Sequence, residues 1–384
     1  MEVLKKSKLL VVDDSAFMRK LISDFFAGNA NIEVIGTARN GKDAIKKIQS
    51  LQPDVVTMDV EMPILNGLDA LKEIMELCPV PVVMLSTTTL EGAENALKAM
   101  EYGAVDFVAK PGGNISLDLH KIEKELVHKV EHAAHVSVKK LRKTSKEHTL
   151  SESLTISSND FQKAQTKNVS APTTSRGAFT EEEKKLNRQW SQTTKKVVLI
   201  GTSTGGPRAL QEVITKLPCS IKAPILIVQH MPAGFTKSLA DRLNQLSAIT
   251  VKEAENGDIL QNGTAYIAPG GSHLKLKKTG TNFEVLLDRI EPPRGGHRPS
   301  VDVLFENTSQ FPEFDKVAVI MTGMGSDGSK GLIQLKKNGN VMAIAESMKT
   351  SIVYGMPKAA VETELVDEIV DVEDIAKAIM NYLP

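Results

Sequence analysis

The sequence predicts an α/β fold class: two doubly wound parallel-sheet domains, one built of five βα units and a larger α/β domain containing a β-hairpin. Three observations lead there. Short apolar runs at 9–12, 32–35, 55–58, 82–85 and 105–108 alternate with stretches of helical periodicity. The same alternation resumes at 197–200, 225–229, 317–321 and 341–345. Between the two series, from about 133 to 194, large apolar residues give way to Ser, Thr and Lys, a composition that buries no core and reads as a flexible linker. The expected divisions are 1–130, 131–194 and 195–384. Within the second domain, "GDILQNGTAYIAPGGSHLKL" and "NFEVLLD" read as turns and hairpin strands over 250–287.

Bulk composition narrows the function classes. A chain of 384 residues is long enough for two cores. Its 47 basic and 47 acidic residues cancel, so nothing draws it as a whole to nucleic acid or an anionic membrane. Cys78 and Cys219 form neither a disulfide framework nor a zinc spacing, and both are expected to fill core space in a reducing compartment. No stretch of 18 uninterrupted apolar residues occurs, so no membrane insertion is expected and the chain reads as cytoplasmic.

In the first half, chemistry gathers at strand ends. Asp13 and Asp14 close the first strand, Asp59 the third, Ser86 the fourth and Lys110 the fifth. Carboxyl ends of neighbouring parallel strands converge on one crevice. Three carboxylates there repel one another unless a cation neutralises them, and hard oxygen ligands suit Mg²⁺, which in turn favours phosphoryl chemistry. Lys110 answers a phosphoryl oxygen by charge and Ser86 by a hydrogen bond. Singly, Asp13 and Asp14 read as loop residues, Ser86 as a cap and Lys110 as a solvated side chain; five such residues closing strands do not. Residues 8–130 resemble a response-regulator receiver domain. The resemblance implies Asp59 as phosphoacceptor, phosphorylated by a histidine kinase. It further implies Mg²⁺ held by Asp14, Asp59 and the Glu61 backbone carbonyl with Asp13 assisting, and Ser86, Phe107 and Lys110 as switch residues. His128, His132 and His135 share a helical spacing that permits metal binding, but no carboxylate or cysteine completes a site, and a solvated helix end is the simpler reading.

The second half opens with "KKVVLIGTSTGGPRAL", a strand running into a glycine-rich turn that carries Ser203. Gly201-Thr-Ser203-Thr-Gly205 fits a nucleophile elbow, a phosphate-cradling turn or a simple helix cap. A dinucleotide site would close the next strand with an acidic residue; "PILIVQHMP" closes instead with Gln229 and His230, and an imidazole suits proton transfer near neutral pH. A later strand, "KVAVIMTGMGSDGSKG", opens into a turn bearing Asp327. A hydroxyl, an imidazole and a carboxylate thus follow strand ends, the set that activates a serine. His273 and His297 are rival bases that spacing does not exclude, and Asp302 rivals Asp327, although Ser300 reads as a helix cap with Asp302 in the first turn.

"IGTSTGGP", "VQHMP", "APGG", "HRPSVDVLF", "TGMGSDG" and "YGMPKAA" together resemble the catalytic domain of chemotaxis protein-glutamate methylesterases. That resemblance implies a hydrolytic domain with Ser203 as nucleophile, His230 as general base and acid, Asp327 as its orienting partner and the Met324 amide in the oxyanion hole with Thr204 near it. It also implies hydrolysis of glutamyl γ-methyl esters on methylated chemoreceptors, without a cofactor, and deamidation of selected glutamines. Arg208, Arg294 and Arg298 are candidates for meeting an acidic receptor surface. A receiver tethered to a hydrolase is expected to cover the Ser203 cleft until Asp59 is phosphorylated. The opposing reading is a noncatalytic module that binds a nucleotide at 201–206; a DNA-binding output lacks a basic recognition segment.

Overall fold

The computed structural model describes residues 5–110, 115–141 and 194–383. The first domain is a five-stranded parallel sheet of order β2-β1-β3-β4-β5, from β1 (Ser7–Val12), β2 (Ile32–Ala38), β3 (Val55–Asp59), β4 (Val82–Ser86) and β5 (Asp106–Ala109). Every residue of β3 and β4 is buried, as expected of strands covered on both faces, which is why they read as unbroken apolar runs. Helices α1 (Ala16–Phe25), α2 (Gly41–Leu51), α3 (Gly67–Leu77) and α4 (Leu90–Glu101) each start at a side-chain cap, Ser15, Asn40, Asn66 and Thr89, that accepts a first-turn N–H. Helix α5 (Ile115–Ala133) completes the domain.

The second domain is built on seven parallel strands of order β14-β13-β12-β6-β7-β9-β8. In chain order its elements are β6 (Lys195–Thr202), α6 (Gly206–Ile214), β7 (Ile225–Gln229), α7 (Phe235–Leu246), β8 (Thr250–Glu253), β9 (Thr264–Ile267), β10 (His273–Thr279) and β11 (Asn282–Asp288). There follow α8 (Val301–Thr308), β12 (Phe314–Ile320), α9 (Ser329–Lys337), β13 (Val341–Glu346), α10 (Met356–Val361), β14 (Glu368–Val370) and α11 (Val372–Asn381). The chain moves outward from β6 through β7, then returns to place β12 on the other side of β6. Strand order therefore reverses beside β6, and the loops after β6, β7 and β12 share one crevice.

Two expectations are corrected. Of the strands read as hairpins over 250–287, only β10 and β11 pair antiparallel; β8 and β9 join the main sheet in parallel, where all four residues of β9 are buried. Cys219 is exposed rather than in the core, while Cys78 is half-buried; both are free thiols. Ordered chain also continues past 130. After α5, one helical turn at 138–141 docks on the second domain, with Leu141 buried, Lys140 donating to the carbonyls of Met348 and Ser351 at 2.8 Å, and Arg208 donating to the Leu141 carbonyl at 3.1 Å. The remainder of the expected linker, 142–193, lies outside the described residues.

Beside that turn, Glu346 ends β13 fully buried, accepting from the Thr322 amide at 2.7 Å and the Thr350 hydroxyl at 3.0 Å. Burial pushes its carboxyl up to about 7 against those donors. A folded-state pKa raised above the unfolded value means that the native state holds the proton more tightly, so stability falls as pH rises from the ordinary carboxylate range to about 7. Glu346→Gln is expected to remove this loss: between pH 5 and 7.5 the wild-type midpoint should fall relative to the variant by on the order of 5 °C in thermal melts, and a constant difference would contradict it.

Candidate active site and phosphorylation site

In the first domain, Asp13 and Asp59 are buried and Asp14 is exposed, with one carboxylate oxygen from each lying within 4.8 Å of the others. Lys110 Nζ bridges Asp13 at 2.9 Å and Asp59 at 2.8 Å. Burial raises the Asp59 carboxyl to about 6 even against that ammonium. Three crowded acceptors with one exposed side are a donor set that suits a hard divalent cation, and Glu61 lines with Asp14 the groove of about 470 Å³ beside them. Ser86 is buried with its hydroxyl donating to the Gly92 carbonyl at 2.7 Å, at the start of α4. His128 and His132 meet edge to face, but among the described residues the only group of three or more potential metal ligands is the aspartate cluster.

In the second domain, β6 delivers Ser203 to the switch-point crevice. The turn into α6 needs Gly205, whose φ of +77° is a conformation that glycine adopts without strain. Ser203 is pinned through its amide to the Thr322 carbonyl at 3.0 Å. Gly323 permits the close approach of β12, since a Cβ there would lie 2.8 Å from Ser203 Cβ. Beta strand β7 delivers His230, whose amide bonds the Thr202 carbonyl at 3.2 Å. Its Nδ1 lies 3.2 Å from Ser203 Oγ and its Nε2 2.8 Å from Asp327 Oδ2.

The Asp327 carboxylate is held by the start of α8. It accepts from the Ser300 hydroxyl at 2.9 Å and from the amides of Val301 and Asp302 at 2.7 and 3.0 Å. Asp302 in turn accepts from the amides of Gly328 and Gly331 at 2.9 and 2.7 Å, capping α9. Each helix start is thus satisfied by a carboxylate from the other. Burial opposes charge on Asp327, but His230 and the two backbone donors outweigh it and hold the carboxyl below its ordinary range. Asp302 goes the other way, raised to about 6 by burial and by Asp327 despite its own donors. An ionised Asp327 only accepts, so Nε2 of His230 is the nitrogen that donates to it, and of the two neutral tautomers this selects the one whose Nδ1 lone pair faces Ser203.

The rival assignments separate on geometry. His273 is fully buried and directs Nε2 to the Pro292 carbonyl at 3.2 Å. His297 makes no hydrogen bond to Ser203; its ring lies flat on that of His230, centroids 3.9 Å apart and planes within 5°. Asp302 serves α9, as above. The amide of Met324, on the turn after Gly323, has no protein acceptor among the described residues. Arg294 is engaged by Glu291 and Glu306, and Arg298 by the carbonyls of Arg289 and Glu291. Gln229, read from the sequence only as a strand end, ties the elbow to the histidine by donating to the carbonyls of Ser203 and His230 at 3.0 and 3.2 Å.

The first domain lies against this site. The Thr204 hydroxyl donates to Asp106 at 2.6 Å, Phe107 stacks on Phe235 with centroids 4.8 Å apart, and Arg242 pairs with Glu101 at 2.9 Å. Lys129 on α5 donates to Asp106 at 3.2 Å and to the Phe107 carbonyl at 2.6 Å. Sequence spacing gives no sign of Asp106, whose partner Thr204 comes from the other domain, or of Lys129, which meets Asp106 and Phe107 only once α5 packs on β5.

The family model described as response regulator receiver domain matches residues 9–120, and the one described as CheB methylesterase matches 198–379. A protein-glutamate methylesterase/protein-glutamine glutaminase of Geobacillus kaustophilus is 52% identical over 99% of this chain and 99% of its own. The chain belongs to that family. The Bacillus subtilis protein of the same name is 50% identical over 97% of this chain and 98% of its own. A solved Thermotoga maritima CheB methylesterase catalytic domain, 42% identical, covers 50% of this chain and 100% of that one with a TM-score of 0.48. Among the described residues no helix is long and apolar enough to cross a membrane.

The Asp327 arrangement predicts the outcome of two substitutions. Asp327→Asn offers an amide to Nε2, removes the preference for the productive tautomer and should lower kcat by about 10³–10⁴-fold. Ser300→Ala removes one of three donors and should cost only about 10-fold. Equal effects in steady-state esterase assays would contradict the assigned hierarchy.

Proposed function

We propose that the protein hydrolyses glutamyl γ-methyl esters on chemoreceptor cytoplasmic domains, releasing methanol and restoring the carboxylate, and deamidates selected receptor glutamines. The observation that carries this reading is the continuous chain Ser203 Oγ, His230, Asp327 at 3.2 and 2.8 Å on the crevice edge of the sheet. Ser203 Oγ attacks the ester carbonyl carbon while His230 Nδ1 takes its proton, and Asp327 steadies the imidazolium. The oxyanion meets the Met324 amide, with the Thr204 hydroxyl beside it. Collapse breaks the acyl–oxygen bond, and Nδ1–H protonates the departing methoxide to methanol. Water then attacks the acyl-serine as Nδ1 accepts its proton, which returns to Ser203 as the glutamate leaves. For a glutamine, the same steps expel ammonia.

Regulation follows from the docked domains. Asp106 occupies the hydroxyl next to the nucleophile and Phe107 covers Phe235, so receptor access requires the first domain to move. A histidine kinase supplies phosphate to Asp59; Asp13, Asp14 and Asp59, with the Glu61 carbonyl that the receiver resemblance adds, would hold Mg²⁺, which neutralises phosphoryl oxygens during transfer. Lys110, already bridging Asp13 and Asp59, would re-pair with the phosphoryl group.

Ser203→Ala should abolish methanol release from methylated receptor while leaving the thermal melt in place; retained turnover would end the assignment. For regulation, Asp59→Asn should lose stimulation by a small phosphodonor, whereas Asp106→Asn should raise unstimulated turnover by about 5–30-fold, the effect of weakening one buried charge-assisted hydrogen bond. An Asp106 variant with wild-type basal activity and undiminished stimulation would refute the cover.

A further inference from the structure

Both nitrogens of His230 are engaged, one by Ser203 and one by Asp327. Hydrogen bonds at both ring nitrogens leave one soft motion, a tilt of the ring about the line joining those nitrogens. That tilt swings the Nδ1 lone pair out of line with the serine hydroxyl while both nitrogens stay near their partners. Only a group against a ring face can oppose it, and His297 is such a group, parallel to His230 within 5° at 3.9 Å.

His297 is itself held firmly. It ends a turn closed by two reciprocal backbone bonds of 3.0 Å between Arg294 and His297, with Gly295 and Gly296 at φ +59° and +86°. The flanking guanidinium groups of Arg294 and Arg298 anchor the turn from either side. Burial and the neighbouring His230 push the His297 imidazole down to about 4 against the pull of Asp327, with Lys129 and Glu125 of α5 the other charges facing it. It therefore stays neutral while His230 gains and loses a proton, and a neutral π face beside an imidazolium is attractive, whereas a second cation would repel it.

We propose that His297 is a positioning residue for acyl transfer: its imidazole face fixes the plane of His230 and steadies the imidazolium formed when Ser203 gives up its proton. The inference rests on the hydrolase reading of the Ser203 site. It assigns His297 no proton transfer and no contact with the ester, which makes an aromatic ring without nitrogens a sufficient substitute.

The test uses the full chain activated by a small phosphodonor, with two readouts: kcat and KM for methanol release, and the rate at which a serine-directed organophosphonate labels Ser203. His297→Ala should lower kcat and the labelling rate together by about 5–30-fold, the worth of one desolvated cation–π contact, with KM changed less than about 3-fold. His297→Phe should restore both to within about 3-fold of wild type. The proposal is overturned if His297→Ala keeps wild-type kcat, if only KM changes, or if Phe is as damaging as Ala. Normal wild-type labelling with an unaffected His297→Ala variant refutes this inference alone. A wild-type chain that neither labels nor releases methanol refutes the hydrolase reading, and this inference with it.

Discussion

A single buried carboxylate organises the hydrolytic site. Asp327 sits where the first turn of α8 meets the turn after β12, taking one hydroxyl and two amide protons from α8 and a third N–H from His230. Its charge persists in a low-dielectric setting because these donors converge on it. The same exchange, with Asp302 capping α9, ties the start of α8 to the start of α9, beside which Ser300 and Asp327 lie. Once Asp327 is charged and immobile, the tautomer of His230 follows, and from it the nitrogen that faces Ser203. Here that nitrogen is Nδ1, the reverse of the chymotrypsin arrangement, which illustrates that a triad is recognised by roles and not by atom names.

Two elements, β5 and α4, touch both sites. Strand β5 carries Asp106 and Phe107 against the second domain and leads directly to Lys110, which bridges the acidic pocket. Helix α4 begins near Ser86, whose hydroxyl holds the Gly92 carbonyl, and ends at Glu101, which pairs with Arg242. On the proposed regulation, a phosphoryl group that drew Lys110 or Ser86 toward Asp59 would act on the elements forming the interface. Such a device requires only two packings of β5 and α4 that differ in free energy by a few kcal/mol. The turn at 138–141 adds a second anchorage behind the elbow, through Lys140 and Leu141.

Much of this was legible in the sequence because parallel strands buried on both faces are unbroken apolar runs, and because the residue that ends such a run lies on the crevice edge. Asp13, Asp59, Lys110, Ser203 and His230 are all found that way, and Asp327 by the glycine turn that follows β12. Spacing alone left His273 and His297 open beside His230, since the choice depends on how the loop after β11 folds back over β7, and it was the family resemblance that pointed to His230. The bond from Thr204 to Asp106 and the stacking of Phe107 on Phe235 arise from domain docking, which no local pattern encodes. Strands β8 and β9 read as hairpins because a short strand of four residues with a nearby glycine turn looks alike in either pairing; only the assembled sheet, with β9 fully buried and β8 at its edge, decides it.

The most direct test of the organising role of Asp327 is the protonation pattern of the His230 ring in the resting chain, read by ¹⁵N NMR of imidazole-labelled protein near neutral pH and assigned by comparison with His230→Gln. In the neutral ring the account predicts the proton on Nε2, toward Asp327, and an unprotonated Nδ1 toward Ser203. A proton on Nδ1 with Nε2 bare would leave the serine facing a donor, and would contradict the mechanism at its first step.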